Sequence, residues 1–244
     1  MKYMNLPLPV MPVYTLSIPS SKKNVRYRPF TVKEEKSLLI AQQSDDPLVM
    51  LDTLKEIITT CVKDPLETSE LAVFDIEYIF SQLRAHSVGE IIDLRFQCDI
   101  CKTDPKAVSL VQIDLTKLQV KFKPGHEKKI PLFDNVGIVM KYPGLEAMKL
   151  IENITDFDDM NQVFDLITNY SIDYIYDDEQ VYHAKDFTSD KLAEFINSLT
   201  SKQFENIAKF FRTLPTLRQD IEYKCPVCGH VHNKYIEGLS SFFM

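Results

Sequence analysis

Two pairs of cysteines constrain this chain more than any other feature of its 244 residues. Cys98 and Cys101 form one CxxC knuckle, and Cys225 and Cys228 form a second. Two thiolates at this spacing can bend around one cation, and a structural zinc ion takes four such ligands in a tetrahedron. The sequence therefore predicts one structural zinc ion held by these four cysteines.

The distance between the knuckles predicts how the chain is organised. More than a hundred residues separate Cys101 from Cys225, whereas ordinary zinc motifs enclose loops of tens of residues. A shared metal ion would tie two distant parts of the chain together. The segment between the knuckles then becomes an insertion that the metal closes.

Other interpretations of the cysteines stay open. The two CxxC pairs could be unrelated, or one could be a redox pair, although a thioredoxin-like pair needs a helix start in a βαβ setting. His230 and His232 could replace a cysteine as ligand or support the ligands from behind. The fifth cysteine, Cys61, lies on the apolar face of a predicted helix and is expected to be a buried, unreactive thiol.

The charge balance and the motifs restrict the function. A formal net charge of -7 argues against nucleic-acid binding, which usually shows a basic excess. The sequence has no HExxH, no GxSxG and no glycine-rich phosphate loop, and four thiolates leave a metal no open position. These features predict a protein without catalytic activity and without a small-molecule substrate.

The N-terminal residues and the hydropathy pattern indicate the compartment. No apolar run approaches the length of a membrane span. Residues 1–13 lack the charged and continuous apolar regions of a secretory signal. We therefore expect the protein to be kept in a cytosol, where disulfide bonds are rare.

The periodicity of the chain predicts an α+β fold, with helical N-terminal and central regions around a small antiparallel zinc-ribbon-like sheet. Capping boxes at Thr31 with Glu34 and at Thr200 with Gln203 indicate two helix starts. From Gly144 onward the pattern is more helical. The predicted regions are an N-terminal β-hairpin arm (1–30), a helical region (31–90), the first knuckle with a β region (91–143), a helical insertion (144–216), and the second knuckle with the C-terminal tail (217–244).

Several runs in the N-terminal part carry a resemblance to a known family. They are residues 27–36 (YRPFTVKEEK), 38–41 (LLIA), 74–80 (FDIEYIF), 83–85 (LRA) and 87–90 (SVGE), followed by the first knuckle. This pattern resembles the baseplate hub subunit (hub assembly) family of T-even-type contractile-tailed phages. The resemblance implies a part in building the baseplate hub, which nucleates the tail tube and carries the puncturing device.

The resemblance also implies partners and a location. The expected partners are baseplate hub or tape-measure proteins, met in the host cytoplasm during assembly, and the protein could stay in the virion tail baseplate. Charged residues around the first helix start, Arg84 in a later helix and aromatic residues at the chain end are candidates for binding them. The alternatives are an ordinary solvated face around the helix start, pairing of Arg84 with Glu77 or Glu90, and docking of the aromatic rings on the protein's own core. The candidates are Arg28, Lys33, Glu34, Arg84, Phe242 and Phe243.

Two functional hypotheses follow from the sequence. The first is a structural or chaperone-like protein of hub assembly, whose fold is stapled by one zinc ion. The alternative is a zinc-ribbon protein that binds nucleic acid or the transcription machinery, because CPxCG knuckles such as residues 225–229 are common in that class. The acidic balance of the chain favours the first.

Overall fold

The structure is a computed structural model and describes residues 9–44, 47–157 and 159–238. The chain divides into two compact units. The cysteine unit consists of Met1–Thr68, Ile76–Gln119 and Arg218–Met244. The insertion unit consists of Ser69–Asp75 and Val120–Leu217.

The described residues form an α+β fold with short antiparallel sheets, as the sequence predicts. None of its helices has the length and apolar character that crossing a membrane demands. The helices are α1 (Val32–Gln42), α2 (Pro47–Cys61), α3 (Val73–Ser87), α4 (Met148–Asn153), α5 (Met160–Leu166), α6 (Ser189–Asn197) and α7 (Ser201–Arg212). The strands are β1 (Tyr14–Ser17), β2 (Asn24–Tyr27), β3 (Ile91–Gln97), β4 (Val108–Asp114), β5 (Val120–Lys121), β6 (Lys129–Phe133), β7 (Val136–Met140), β8 (Ile172–Tyr176), β9 (Val181–His183), β10 (Thr216–Lys224) and β11 (Val231–Glu237).

The N-terminal part of the cysteine unit follows the local sequence signals. Strands β1 and β2 form the predicted hairpin, in which Leu16 lies opposite Val25 and both are buried. Helix α1 begins with the predicted capping box, because Thr31 accepts a hydrogen bond at the helix start while Glu34 accepts one from the Thr31 backbone. The apolar faces predicted for α2 and α3 are buried, as Ile58 and Leu83 illustrate.

Two antiparallel hairpins carry the knuckles of the cysteine unit. Strand β3 pairs with β4 from Ile91 opposite Asp114 to Gln97 opposite Val108. Strand β10 pairs with β11 from Arg218 opposite Glu237 to Lys224 opposite Val231. Each hairpin therefore ends in a loop that begins with the first cysteine of a knuckle.

The insertion unit is built around a four-stranded antiparallel sheet in the order β6-β7-β8-β9. Ile138 lies opposite Ile130 on one side and Ile175 on the other, which places apolar side chains in a row on one face. A core cluster joins this row to apolar residues of the helices, including Ile207 and Phe210 of α7. Such a core of β-branched and aromatic side chains is sufficient to stabilise a small sheet with helices on it.

The prediction that residues 144–216 are helical is wrong in part. Strands β8 and β9 lie within this range and supply half of the four-stranded sheet. The stretch Ile172–Tyr176 is rich in isoleucine and tyrosine, which favour strands, and Asp177 accepts hydrogen bonds from the amides of Glu179 and Gln180 in the turn that follows. The central region is therefore a mixed α+β unit, in which β8 and β9 extend the sheet that β6 and β7 begin.

Candidate metal centre

The two knuckles lie at equivalent places in their hairpins. Cys98 directly follows β3, and its amide donates a hydrogen bond of 2.9 Å to the Ala107 carbonyl. Cys225 directly follows β10, and its amide donates a hydrogen bond of 2.9 Å to the His230 carbonyl. These bonds close each loop at its base, so that both cysteines of a pair stand on a short and restrained turn.

Backbone amides of both turns point at the first sulfur of each pair. The Cys101 amide lies 3.4 Å from the Cys98 Sγ, and the Val227 amide lies 3.4 Å from the Cys225 Sγ. Gly229 completes the second turn with a φ of 72°, a conformation that side chains disfavour, and donates a hydrogen bond to the Cys225 carbonyl. Amide donors aimed at sulfur stabilise a thiolate, the form that binds metal.

The four sulfur atoms of the two knuckles converge. All of them lie within 4.8 Å of one another, and the Cys98 and Cys228 sulfurs are 3.8 Å apart. Zinc–sulfur bonds of about 2.3 Å in a tetrahedron require sulfur–sulfur edges of about 3.8 Å, whereas a disulfide needs about 2 Å. The cysteines are therefore free thiols in an arrangement that fits a metal ion.

The environment of the four thiols is graded from buried to exposed. Cys98 is 0% exposed and Cys225 is 1% exposed, Cys101 is intermediate, and Cys228 is on the surface. A site buried on one side and open at one ligand allows a cation to enter without disrupting the hairpins.

Crowding of the thiols perturbs their ionisation. The backbone amide of Cys228 is the largest of the effects that lower the pKa of Cys225 to about 7. A hydrogen bond with the Cys228 thiol, followed by burial, raises the pKa of Cys101 to about 12. Four such groups can ionise together only if a cation neutralises them, which is the condition that a metal ion satisfies.

One of the two predicted supporting histidines lies against the sulfur cluster. His232 is buried on β11, and its Nε2 lies 3.2 Å from the Cys98 Sγ. Its other ring nitrogen lies 3.8 Å from an Asp99 carboxylate oxygen, which also contacts Lys234 at 2.9 Å. The ring stacks on Tyr223 with centroids 4.9 Å apart. This packing fixes the orientation of the imidazole beside the sulfur.

The other histidine, His230, is exposed, and its ring meets His232 edge-on at 4.7 Å. The sequence analysis did not identify Asp99 and Tyr223 as supports of the site. Asp99 could have been noticed because it stands inside the first knuckle, but the pairing that brings Tyr223 opposite His232 depends on the β10–β11 register.

Two of the candidate partner-binding residues form an internal ion pair. The Arg28 Nη2 lies 2.9 Å from the Glu34 Oε1, and both side chains are largely buried. Burial opposes ionisation of Glu34, but hydrogen bonds from Arg28 and from the side chain and backbone of Thr31 outweigh it and lower the pKa of Glu34 to about 2. These contacts give both residues a structural role within the chain.

The remaining candidates are placed differently. Lys33 is exposed at the start of α1. Arg84 is half-buried on α3, and desolvation lowers the pKa of its guanidinium group. Phe242 and Phe243 lie outside the described residues. The assignment of these residues to partner binding stays a prediction.

Comparison with known proteins adds a finding independent of the cysteine geometry. A relative, the "Baseplate hub assembly protein gp26" of Enterobacteria phage T4, is 24% identical over 233 residues, which make up 94% of this chain and 97% of the relative. No solved structure matches the chain. The sequence profile of the family described as "T4 bacteriophage base plate protein" matches residues 11–244. Because the match covers most of its length, the chain belongs to the T4 bacteriophage base plate protein family.

Proposed function

We propose that this protein is a non-enzymatic assembly protein of a phage tail baseplate hub. The observation that carries the proposal is the near full-length similarity to a hub assembly protein, at 94% of this chain and 97% of the relative. Similarity that spans both the cysteine unit and the insertion unit supports a shared role of the whole chain and not of one module.

The four-cysteine centre has a structural role in this proposal. Cys98, Cys101, Cys225 and Cys228 hold one zinc ion, and the two hairpins around it make a zinc-ribbon-like unit. The four sulfurs, which lie within 4.8 Å of one another, support this assignment, because a closed set of thiolates leaves no position for substrate or water. His232 supports the site by donating a hydrogen bond to Cys98, and the exposed His230 takes no part.

The partners are other hub components or tape-measure proteins. The protein meets them in the host cytoplasm during assembly, and the virion tail baseplate is its final location. The metal acts on this function indirectly, since it keeps the hairpins folded while the surface of the chain contacts the partners.

A complementation experiment tests the proposal. Cells infected with phage that lack the gene should accumulate tail precursors without complete hubs, and a plasmid copy of the wild-type gene should restore hubs seen by sedimentation and electron microscopy. A copy carrying Cys225→Ser should restore few hubs at 37 °C because the hairpins unfold. Complete hubs in the absence of the gene would overturn the proposal.

A further inference from the structure

Helix α1 exposes three of its large apolar residues and buries a charged one. Val32, Leu39 and Ile40 are 64%, 53% and 69% exposed. The buried residues of this helix are Glu34, which is 7% exposed, and Ala41, which is 2% exposed. This is the reverse of a helix that packs its apolar face on its own core.

The exposed apolar residues share one side of the helix. At 3.6 residues per turn, Val32, Leu39 and Ile40 fall within an arc of about 100°. Glu34 and Ala41 fall on the opposite side of the helix. We call the three exposed residues the α1 stripe.

The orientation of the stripe is set by specific bonds. Glu34 accepts a hydrogen bond of 2.7 Å from the Thr31 amide and pairs with Arg28 at 2.9 Å. Rotating the helix to bury the stripe would break this capping box and leave a carboxylate without its partner. The structure therefore holds the three apolar side chains outward.

Charges beside the stripe indicate what it contacts. Lys33 and Lys36 are exposed on the same side of the helix, and no carboxylate among the described residues forms an ion pair with either. The chain as a whole has a net charge of -7, so an acidic partner would be repelled elsewhere and attracted here.

We propose that the α1 stripe is the docking surface for an amphipathic helix of a partner protein, with acidic residues flanking its apolar ridge. Apolar residues at positions i, i+7 and i+8 match the spacing at which two helices interdigitate. Lys33 and Lys36 then pair with the acidic flanks of the partner helix. The proposal rests on the assembly function above and identifies the surface that performs it.

Removal of the stripe tests the proposal in the full-length protein. The variant Leu39→Gln plus Ile40→Gln takes away apolar surface without adding charge and keeps good helix formers. Its thermal midpoint and metal content should equal those of the wild type, because both side chains are exposed. In infected cells that lack the phage gene, this variant should yield at least tenfold fewer complete hubs and infectious particles.

Two further variants sharpen the test. Val181→Gln plus Phe187→Gln removes exposed apolar residues of the insertion unit and should restore full yield. Lys33→Glu plus Lys36→Glu leaves the stripe intact but reverses its flanking charge, and should lower the yield by severalfold in a salt-dependent manner.

Three outcomes would overturn the proposal. Full yield with the stripe variant removes the docking role, and if hubs still depend on the gene, the assembly function survives this failure. A lower thermal midpoint of the stripe variant assigns the stripe to contacts within its own chain, including residues outside the described ranges. A wild-type dimer that the variant dissociates in native mass spectrometry assigns it to a second copy.

Discussion

The turns that carry the cysteines and the insertion unit are stabilised by different means. The buried cluster at the knuckles consists of Cys98, Ala107 and Cys225, with Cys101 packed against it. The insertion unit buries a cluster of 15 mostly large apolar residues. Where the sequence supplies little apolar volume, four thiolates and a cation can replace a hydrophobic core.

The two regions also differ in how their distant segments are joined. The ends of the insertion unit are paired directly, because Val120 lies opposite Leu217 and Lys121 lies opposite Thr216. The β3–β4 and β10–β11 hairpins meet at the cysteine sulfurs and at a few side-chain contacts, such as the Phe96–Tyr223 ring stack, although 123 residues of sequence lie between Cys101 and Cys225. A metal ion at the knuckles would therefore stabilise the hairpins most and the insertion unit least.

Loss of the metal should have the largest effect on stability. It should destabilise the hairpins and leave the stability of the insertion unit unchanged. In Cys225→Ser, we expect amides of β3, β4 and β11 to lose about 4 kcal/mol of protection against hydrogen exchange, because the closed loop is opened. Amides of β7 and α7 should keep their protection. Hydrogen exchange with mass spectrometry measures both.

A buried cysteine that is not a ligand is the control for this variant. Cys61 is 0% exposed on α2 and lies outside the sulfur cluster, so Cys61→Ala should destabilise its surroundings but keep the metal. Equal loss of protection against hydrogen exchange in both units of Cys225→Ser would show that the metal stabilises the insertion unit as well as the hairpins.

The core of the insertion unit can be weakened without touching the metal. Ile207 is fully buried in α7, and Ile207→Ala should lower the free energy of unfolding by about 3 kcal/mol through the cavity that it leaves. Metal content should stay unchanged, as metal analysis of the purified variant can determine. The exposed Val181→Ala should change stability by less than about 0.5 kcal/mol. A variant of Ile207 that loses metal would show that the regions are coupled.

The buried ion pair at the start of α1 predicts a pH dependence. The pKa of Glu34 is lowered from 4.5 to about 2, so the folded state gains stability from this carboxylate above pH 4.5. That stability is lost as the pH falls from 4.5 to 2. Glu34→Gln can still close the capping box but removes the charge, and it should cost about 2 kcal/mol at pH 7 because the largely buried Arg28 loses its partner.

Chemical denaturation at several pH values measures this difference. The gap between wild type and Glu34→Gln should narrow as the pH falls through the same range, and taking the difference cancels the loss of metal that acid causes in both proteins. A gap that is constant with pH would contradict the lowered pKa.

The smallest expected effect concerns the histidine beside the sulfurs. His232→Phe keeps a flat ring on Tyr223 but removes the hydrogen bond to Cys98, and we expect zinc affinity to fall about tenfold. Competition with a chromophoric chelator measures the affinity. His230→Phe is the matched control and should bind zinc as the wild type does, and equal losses in both variants would remove the special role of His232.

The parts of the fold that depend on local sequence were predicted well. The capping boxes predicted at Thr31 with Glu34 and at Thr200 with Gln203 are set by neighbouring residues, and both are present. The convergence of the four cysteines was predictable because tetrahedral coordination by thiolates requires it.

The parts of the fold that depend on pairing between distant segments were not predicted from the sequence. Strands β8 and β9 are short and lie between helices, and they join the sheet only because β8 pairs with β7 and β9 pairs with β8. Glu34 is a surface charge by residue type, but the hairpin that brings Arg28 against it gives it a buried partner. For the same reason the sequence could not show that Val32, Leu39 and Ile40 face outward.

The most direct test of the central claim is native mass spectrometry of the full-length protein with elemental analysis. We expect one zinc ion per chain and no disulfide, because the four sulfurs lie within 4.8 Å of one another as free thiols. Protein without metal, whose mass is lower by the hydrogens lost from two disulfides, would contradict the account and assign the four cysteines to redox chemistry.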